Sequence, residues 1–358
     1  MTKSNKVNLN KININIDNTF VIFISSNLSF YLASCFLKKF KILDYKIIFT
    51  GQGGDRNKRK EDLIFICNLL KIEYKKCIII DHDYNFNYFK MFINYQKIKN
   101  KIKNFINSDV VNYVTSSNYG LVDALLKKLY LKKSKYLIIE DGIENWIEVK
   151  NKNNLLKSIL FSLTLRAFIY IKRKRVQKND FFISSLKNKK YYKTSSIIDI
   201  SDEFQEIINK FTKKYSMSSG KHFNILIICA RTPRYKNGLN SFLLTVKKYY
   251  FKLNKKMNEN NTQFFYKLHP GYTLESGNYN LENFTIIEND NIPIEFFNLS
   301  NFNYILSPVN TSLIYIRELH HDNKFILNYY DINQSNYKKK LELINFFNIK
   351  KLIINYVY

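Results

Sequence analysis

A chain of 358 residues, 46% of them apolar, can build one large core or two ordinary ones, which excludes a disordered or fibrous protein. Lys and Arg number 57 against 29 Asp and Glu, and the formal charge of +28 suits an acidic substrate, an anionic membrane surface or a nucleic acid. The lysines are spread beside Asn, Ile and Tyr along the whole chain, as an AT-rich genome would spread them, and no helix-turn-helix, RNP or zinc-finger signature gathers them, so no nucleic acid is expected as partner.

The opening stretch MTKSNKVNLNKININIDN is polar and lacks the apolar run of a secretory signal, so the expected location is the cytoplasm. From Phe20 onward, short β-branched runs alternate with longer helical patterns. The runs are VIFIS (Val21–Ser25), YKIIFTG (Tyr45–Gly51), KCIIID (Lys76–Asp81), VVNYVTS (Val110–Ser116) and YLIIED (Tyr136–Asp141). Strands with so few polar positions are buried on both faces, and stretches such as Leu28–Phe40 and Leu121–Lys133 are long enough for crossover helices. Cys35, Cys67, Cys77 and Cys229 lie far apart without metal-ligand spacing and read as reduced core residues.

Leu155–Lys178 joins an apolar run to the basic cluster KRKR. Arg166 interrupts the run, which is too short for a span of about 20 apolar residues. Two readings stand for it: a buried helix with a solvated basic end, or a peripheral helix on an anionic leaflet at the inner face of the cytoplasmic membrane. The strand rhythm then restarts with NILIICA (Asn224–Ala230), QFFYKLH (Gln263–His269), FTIIE (Phe284–Glu288), FNYILS (Phe302–Ser307) and KFILNYY (Lys324–Tyr330). KYSMSSGKH (Lys214–His222) breaks both periodicities and reads as a hinge. The expectation is therefore an α/β protein of two Rossmann-like domains, residues 1–215 and 216–358, with parallel sheets facing a cleft. Tyr337–Tyr358 reads as a helix and a short apolar tail.

In open α/β sheets ligands bind beyond the carboxyl ends of the strands, so polar residues that follow a strand are the first candidates for chemistry. Gly51–Asp55 departs from GxGxxG and has no Walker lysine, and reads as a turn. Asp81-His82-Asp83 has the DxD form with which metal-dependent single-domain (GT-A) glycosyltransferases hold a divalent ion, but it comes early in a chain with a second α/β domain. His320-His321 fall within a helical pattern and read as surface residues, and no third ligand stands out to make a metal site.

Three strand-end elements remain. Glu140-Asp141-Gly142 follows YLII directly, and the glycine allows a sharp turn that presents Asp141 as a general base, with Glu140 orienting the loop. His269 ends QFFYKL, and Pro270 biases its backbone toward the extended region; an imidazole there can donate a proton or pair with an anion. Thr311-Ser312 open the helical pattern TSLIYIRELHH, where hydroxyls and amides make an anion site or, equally, a helix cap; Ser307 competes for the same role.

In this order the elements resemble the bacterial sialyltransferases, which have a D/E-D/E-G motif, an HP motif and a Ser/Thr pair, and Ile292-Pro293-Ile294-Glu295 resembles an IPxE segment of the glycosyltransferase family 52 group. The pair here reads Thr-Ser. The resemblance covers most of the chain loosely and implies a GT-B enzyme that transfers sialic acid, or a related nonulosonic acid, from a CMP-sugar to a hydroxyl of a surface glycan, with inversion. It implies catalytic roles for Asp141 and His269, the latter at the CMP phosphate. It also implies substrate contacts for Glu140, Gly142, Pro270, Glu295, Ser307, Thr311 and Ser312, and by position for Ser25, Ser26 and Asn27 after the first strand. The CMP-sugar is a co-substrate, and no metal or cofactor is expected, since a monophosphate leaving group can be neutralised by His, hydroxyls and amides. The acceptor could be lipid-linked, which a membrane contact through residues 155–178 would suit. Three alternatives are another GT-B transferase with a Kdo or hexose donor, a metal-dependent enzyme built on Asp81 and Asp83, and a non-catalytic basic protein that binds RNA or membrane.

Overall fold

The computed structural model describes residues 14–50, 56–80, 88–108, 110–116, 121–130, 136–140, 181–186, 196–214, 220–229, 238–268, 284–287, 292–320, 325–330, 341, 342, 345 and 349–351. The chain divides into two compact units, Met1–Phe204 and Gln205–Tyr358.

The first unit is built on a seven-stranded sheet: β1 (Thr19–Ile24), β2 (Tyr45–Phe49), β3 (Cys77–Ile79), β4 (Val111–Thr115), β5 (Tyr136–Ile139), β6 (Phe181–Ser184) and β7 (Ser196–Asp199). Their order is β3-β2-β1-β4-β5-β6-β7, and every pairing is parallel. Helices α1 (Asn27–Phe40), α2 (Arg56–Leu70), α3 (Tyr88–Ile106) and α4 (Leu121–Tyr130) make the crossovers. Residues Phe20 to Ile24 of β1 are all buried, as expected of a strand covered on both faces. Val21, Phe23 and Ile48 share one core with Ile102, Ile106, Val122 and Leu126, which joins β1 and β2 to α3 and α4. Burying side chains of this size is worth about 1.5–3 kcal/mol each and holds the crossovers on the sheet.

Helix α5 (Ser201–Lys214) carries the chain across the division. The second unit then repeats the plan with β8 (Phe223–Ile228), β9 (Thr262–Lys267), β10 (Phe284–Ile286), β11 (Tyr304–Pro308), β12 (Ile326–Tyr330) and β13 (Lys350–Lys351) in the order β10-β9-β8-β11-β12-β13, again all parallel. Helices α6 (Gly238–Leu253) and α7 (Thr311–Leu319) lie among its described residues, and a 3₁₀ turn spans Ile294–Phe296. One core gathers Ile225 and Ile227 of β8, Phe242, Leu243, Val246 and Tyr250 of α6, and Phe264 and Tyr266 of β9. All four cysteines are buried and unbridged.

In both sheets the chain runs outward from the first strand in one direction, then returns to that strand's other side. The strand order therefore reverses between β1 and β4 in one unit and between β8 and β11 in the other. Such a reversal opens a crevice at the carboxyl edge, where doubly wound sheets take their ligands.

Candidate active site

Of the described residues singled out from the sequence, Ser25, Ser26, Asn27, Glu140, Ser307, Thr311 and Ser312 lie at the carboxyl edges of the two sheets. In the first unit Ser25 follows β1 and Ser116 follows β4, directly across the reversal point; the Ser25 N–H donates to Ser116 Oγ at 3.0 Å and the two hydroxyl oxygens are 3.3 Å apart. Ser26 is the N-cap of α1: its Oγ accepts from the Ser29 N–H at 3.2 Å and lies 2.7 Å from Ser29 Oγ in a reciprocal capping box. The Ser26 hydroxyl is thus committed to starting a helix, and Asn27 is that helix's first residue.

Glu140 follows β5 and is 0% exposed. The register of β5 on β6 carries its backbone alongside Ser184, with its N–H donating to Ile183 O at 3.1 Å. Its Oε2 accepts from Ser184 Oγ at 3.0 Å and from the Ser185 N–H at 3.3 Å. A buried carboxyl requires such donors, because losing its hydration without replacement costs several kcal/mol. Asp141 and Gly142 lie outside the described residues, as do Asp81, Asp83 and the stretch 155–178.

The second unit brings several sequence elements together. Glu295, in the 3₁₀ turn, is 3% exposed, and its carboxyl is hydrogen-bonded to Ser312 in the first turn of α7 and sits in the field of Lys267, the last residue of β9. Burial pushes the Glu295 carboxyl above the ordinary glutamate range, against the opposing pull of the Ser312 hydrogen bond, its own backbone hydrogen bond and the Lys267 charge. Lys267 is itself 4% exposed, with its ammonium 5.6 Å from the centroid of the Phe297 ring. His320 was expected at the surface. It is instead half-buried at the C-terminal end of α7, where its Nε2–H donates to Glu295 O at 2.8 Å. The IPIE segment is thus tied to α7 by both the side chain and the backbone of Glu295. His269 and Pro270, which come next after Leu268, lie outside the described residues.

The cap at the start of α7 is neither Thr311 nor Ser312. Asn310 is the cap, its Oδ1 accepting from the Leu313 N–H at 3.2 Å and from the Ser307 hydroxyl at 3.1 Å. Ser307 is fully buried at the end of β11 and supports that cap. Thr311 and Ser312, both half-buried, stand in the first turn itself. A helix leaves the N–H groups of that turn without partners inside the helix and concentrates about half a positive charge there. A carboxyl drawn toward its neutral form, a buried lysine and a helix N-terminus together make this edge receptive to an anion.

Among the described residues no three His, Cys, Asp or Glu side chains come together as a metal site, and no helix is long and apolar enough to cross a membrane. Reading the sequence missed Ser184 and Ser185, because FFIS was not read as a strand; the strand-end rule would have selected both.

No known protein family and no curated protein matches the chain by sequence. Solved structures do match. UDP-GlcNAc 2-epimerase from Neisseria meningitidis, bound to UDP-GlcNAc, is 13% identical over 94% of this chain and 87% of its own, with a TM-score of 0.52. UDP-N-acetylglucosamine 2-epimerase from Rickettsia bellii is 15% identical over 92% of this chain and 82% of its own, at 0.50. A glycosyltransferase from Rickettsia africae is 14% identical over 93% and 88%, at 0.41. At such identities the likeness is one of fold. The chain has an α/β fold of the GT-B type, two units each with a Rossmann-like parallel sheet.

Proposed function

We propose that the chain is a glycosyltransferase that moves a sialic acid or related nonulosonic acid from CMP to a hydroxyl of a surface glycan, with inversion. The observation that carries this reading is the convergence of Lys267, Glu295 and Ser312 at the start of α7. These residues belong to three separate elements, KLHP, IPIE and the Thr-Ser pair, on which the sialyltransferase resemblance rests.

In this reading the α7 first turn and Thr311-Ser312 take the CMP phosphate, with Lys267 supplying positive charge behind it. His269 meets the leaving phosphate as proton donor or cationic partner. Asp141 takes the proton of the acceptor hydroxyl as that oxygen attacks the anomeric carbon and the bond to CMP breaks. Ser25 and Asn27 lie on the acceptor side. A second reading, a UDP-sugar enzyme on the same fold, is favoured by the UDP-GlcNAc held by the Neisseria protein; it needs the same phosphate site with room for a second phosphate.

Asp141→Asn keeps the side chain's size and loses proton acceptance, a role worth about 10²–10⁴-fold. Single-turnover transfer should fall by that range while CMP affinity is kept. His269→Ala should likewise act on kcat, because its interaction with the leaving group grows in the transition state. Normal transfer by Asp141→Asn would remove the base from the mechanism, and a chain that binds no CMP would remove the donor.

A further inference from the structure

We propose that Cys67 and Cys77 form a reversible disulfide when the protein meets a hydroperoxide, clamping the end of α2 to the outermost strand β3. This modification site is independent of any sugar transfer.

Cys67 lies in the last turn of α2 and Cys77 is the first residue of β3. They are 1% and 7% exposed, and neither is bridged. The chain between them turns tightly. The Ile72 N–H donates to Cys67 O at 2.9 Å, and a 3₁₀ turn over Tyr74–Lys76 delivers Cys77 into register beside Ile47 of β2. Backbone hydrogen bonds therefore fix the positions of both cysteines, and their side chains meet with the Sγ atoms 3.7 Å apart. A disulfide needs about 2.0 Å between its sulfurs. Small rotations about the two Cα–Cβ bonds close that gap.

The two thiols are chemically unequal. A hydrogen bond from Cys77 holds the Cys67 thiol below the ordinary cysteine range, against the opposing effect of burial; the same bond, together with burial, pushes the Cys77 thiol up. Cys67 is thus the attacking thiolate and Cys77 the resolving thiol. β3 has three residues and is the outermost strand of the described sheet, so its local opening admits a molecule as small as hydrogen peroxide. The Cys67 thiolate attacks one peroxide oxygen, the O–O bond breaks, and the other oxygen leaves as hydroxide, which gives a sulfenic acid at Cys67. The Cys77 sulfur then attacks the Cys67 sulfur, the S–O bond breaks, and the departing hydroxide leaves as water with the Cys77 proton. Overall, two thiols are oxidised to one disulfide while one hydrogen peroxide is reduced to two waters.

The test is treatment of the folded, reduced protein with hydrogen peroxide, followed by denaturation, thiol counting and tryptic mapping. Lys71, Lys75 and Lys76 lie between the two cysteines, so trypsin separates them and the bridge appears as EDLIFICNLLK joined to CIIIDHDYNFNYFK. Free thiols should fall from four to two, and dithiothreitol should restore all four. The oxidised protein should melt several degrees higher, because the bridge restricts the unfolded chain. Cys77→Ser should lose the joined peptides and leave a Cys67 sulfenic acid that dimedone traps. If that variant does not fold, the wild-type peptide map decides alone. Four thiols surviving peroxide, joined peptides that contain Cys35 or Cys229, or oxidation of Cys67 to a sulfinic acid in the wild type would overturn the proposal. An oxidised protein that melts no higher than the reduced one would overturn the clamp.

Discussion

Glu295 is a buried carboxyl whose titration ties the stability of the fold to pH. In the unfolded chain it titrates as an ordinary glutamate, whereas burial raises its pKa in the fold. Between the two values the folded protein holds a proton that the unfolded chain has released, so stability is greatest below the ordinary value and falls as pH rises through that window. Glu295→Gln is neutral at every pH and removes this slope, so its melting temperature relative to wild type should climb as pH rises from the ordinary glutamate range. Parallel melting curves at all pH values would mean that the carboxyl is as well solvated as in the unfolded chain. Its neutral form also matters for the proposed chemistry, because an ionised carboxylate hydrogen-bonded to Ser312 would repel the phosphate that Ser312 is assigned to hold. The sequence flagged Glu295, Thr311 and Ser312 separately through motif order. That Glu295 and Ser312 touch, and that Asn310 is the cap, were not legible, because both depend on where a 3₁₀ turn packs against α7.

In the proposed function helix α7 is the element on which the donor side depends. Asn310→Ala should cost about 1 kcal/mol, the usual value of an N-cap, and should weaken CMP binding by letting the first turn fray. Asn310→Asp keeps the cap and adds a negative charge beside the proposed phosphate position, so it should keep the melting temperature while lowering CMP affinity. Equal CMP affinity in wild type and Asn310→Asp would place the phosphate elsewhere. The long β-branched runs of the sheets, such as TFVIFI and FNILII, were evident from sequence because a strand buried on both faces needs an unbroken apolar run. The strands β6 and β7, FFIS and SIID, were not. Four residues bordered by Ser, Lys and Asn are too short for any periodicity to emerge, and only their pairing beside β5 makes them strands. Because β6 went unseen, so did Ser184 and Ser185 at its end.

At the scale of the whole molecule, two sheets with the same reversal of strand order each offer a carboxyl-edge crevice. The first carries the hydroxyls of Ser25 and Ser116, with Glu140 further along the same edge after β5; the second carries the start of α7. That division of labour suits a reaction in which one unit presents an acceptor hydroxyl with its base and the other holds a leaving nucleotide. In the proposed reaction positive charge is needed on the donor side, where a phosphate must be neutralised as its bond to the sugar breaks. The central claim is therefore that the leaving group is CMP and that protein groups alone neutralise it. Its most direct test is nucleotide release from CMP-, UDP- and GDP-sugars in the presence of EDTA, with a galactose-terminated or sialylated glycan as acceptor. The expected result is CMP release from a CMP-nonulosonic acid that depends on the acceptor and is undiminished by EDTA; release of UDP instead, or activity that EDTA abolishes and Mn²⁺ restores, would contradict it and direct attention to Asp81 and Asp83.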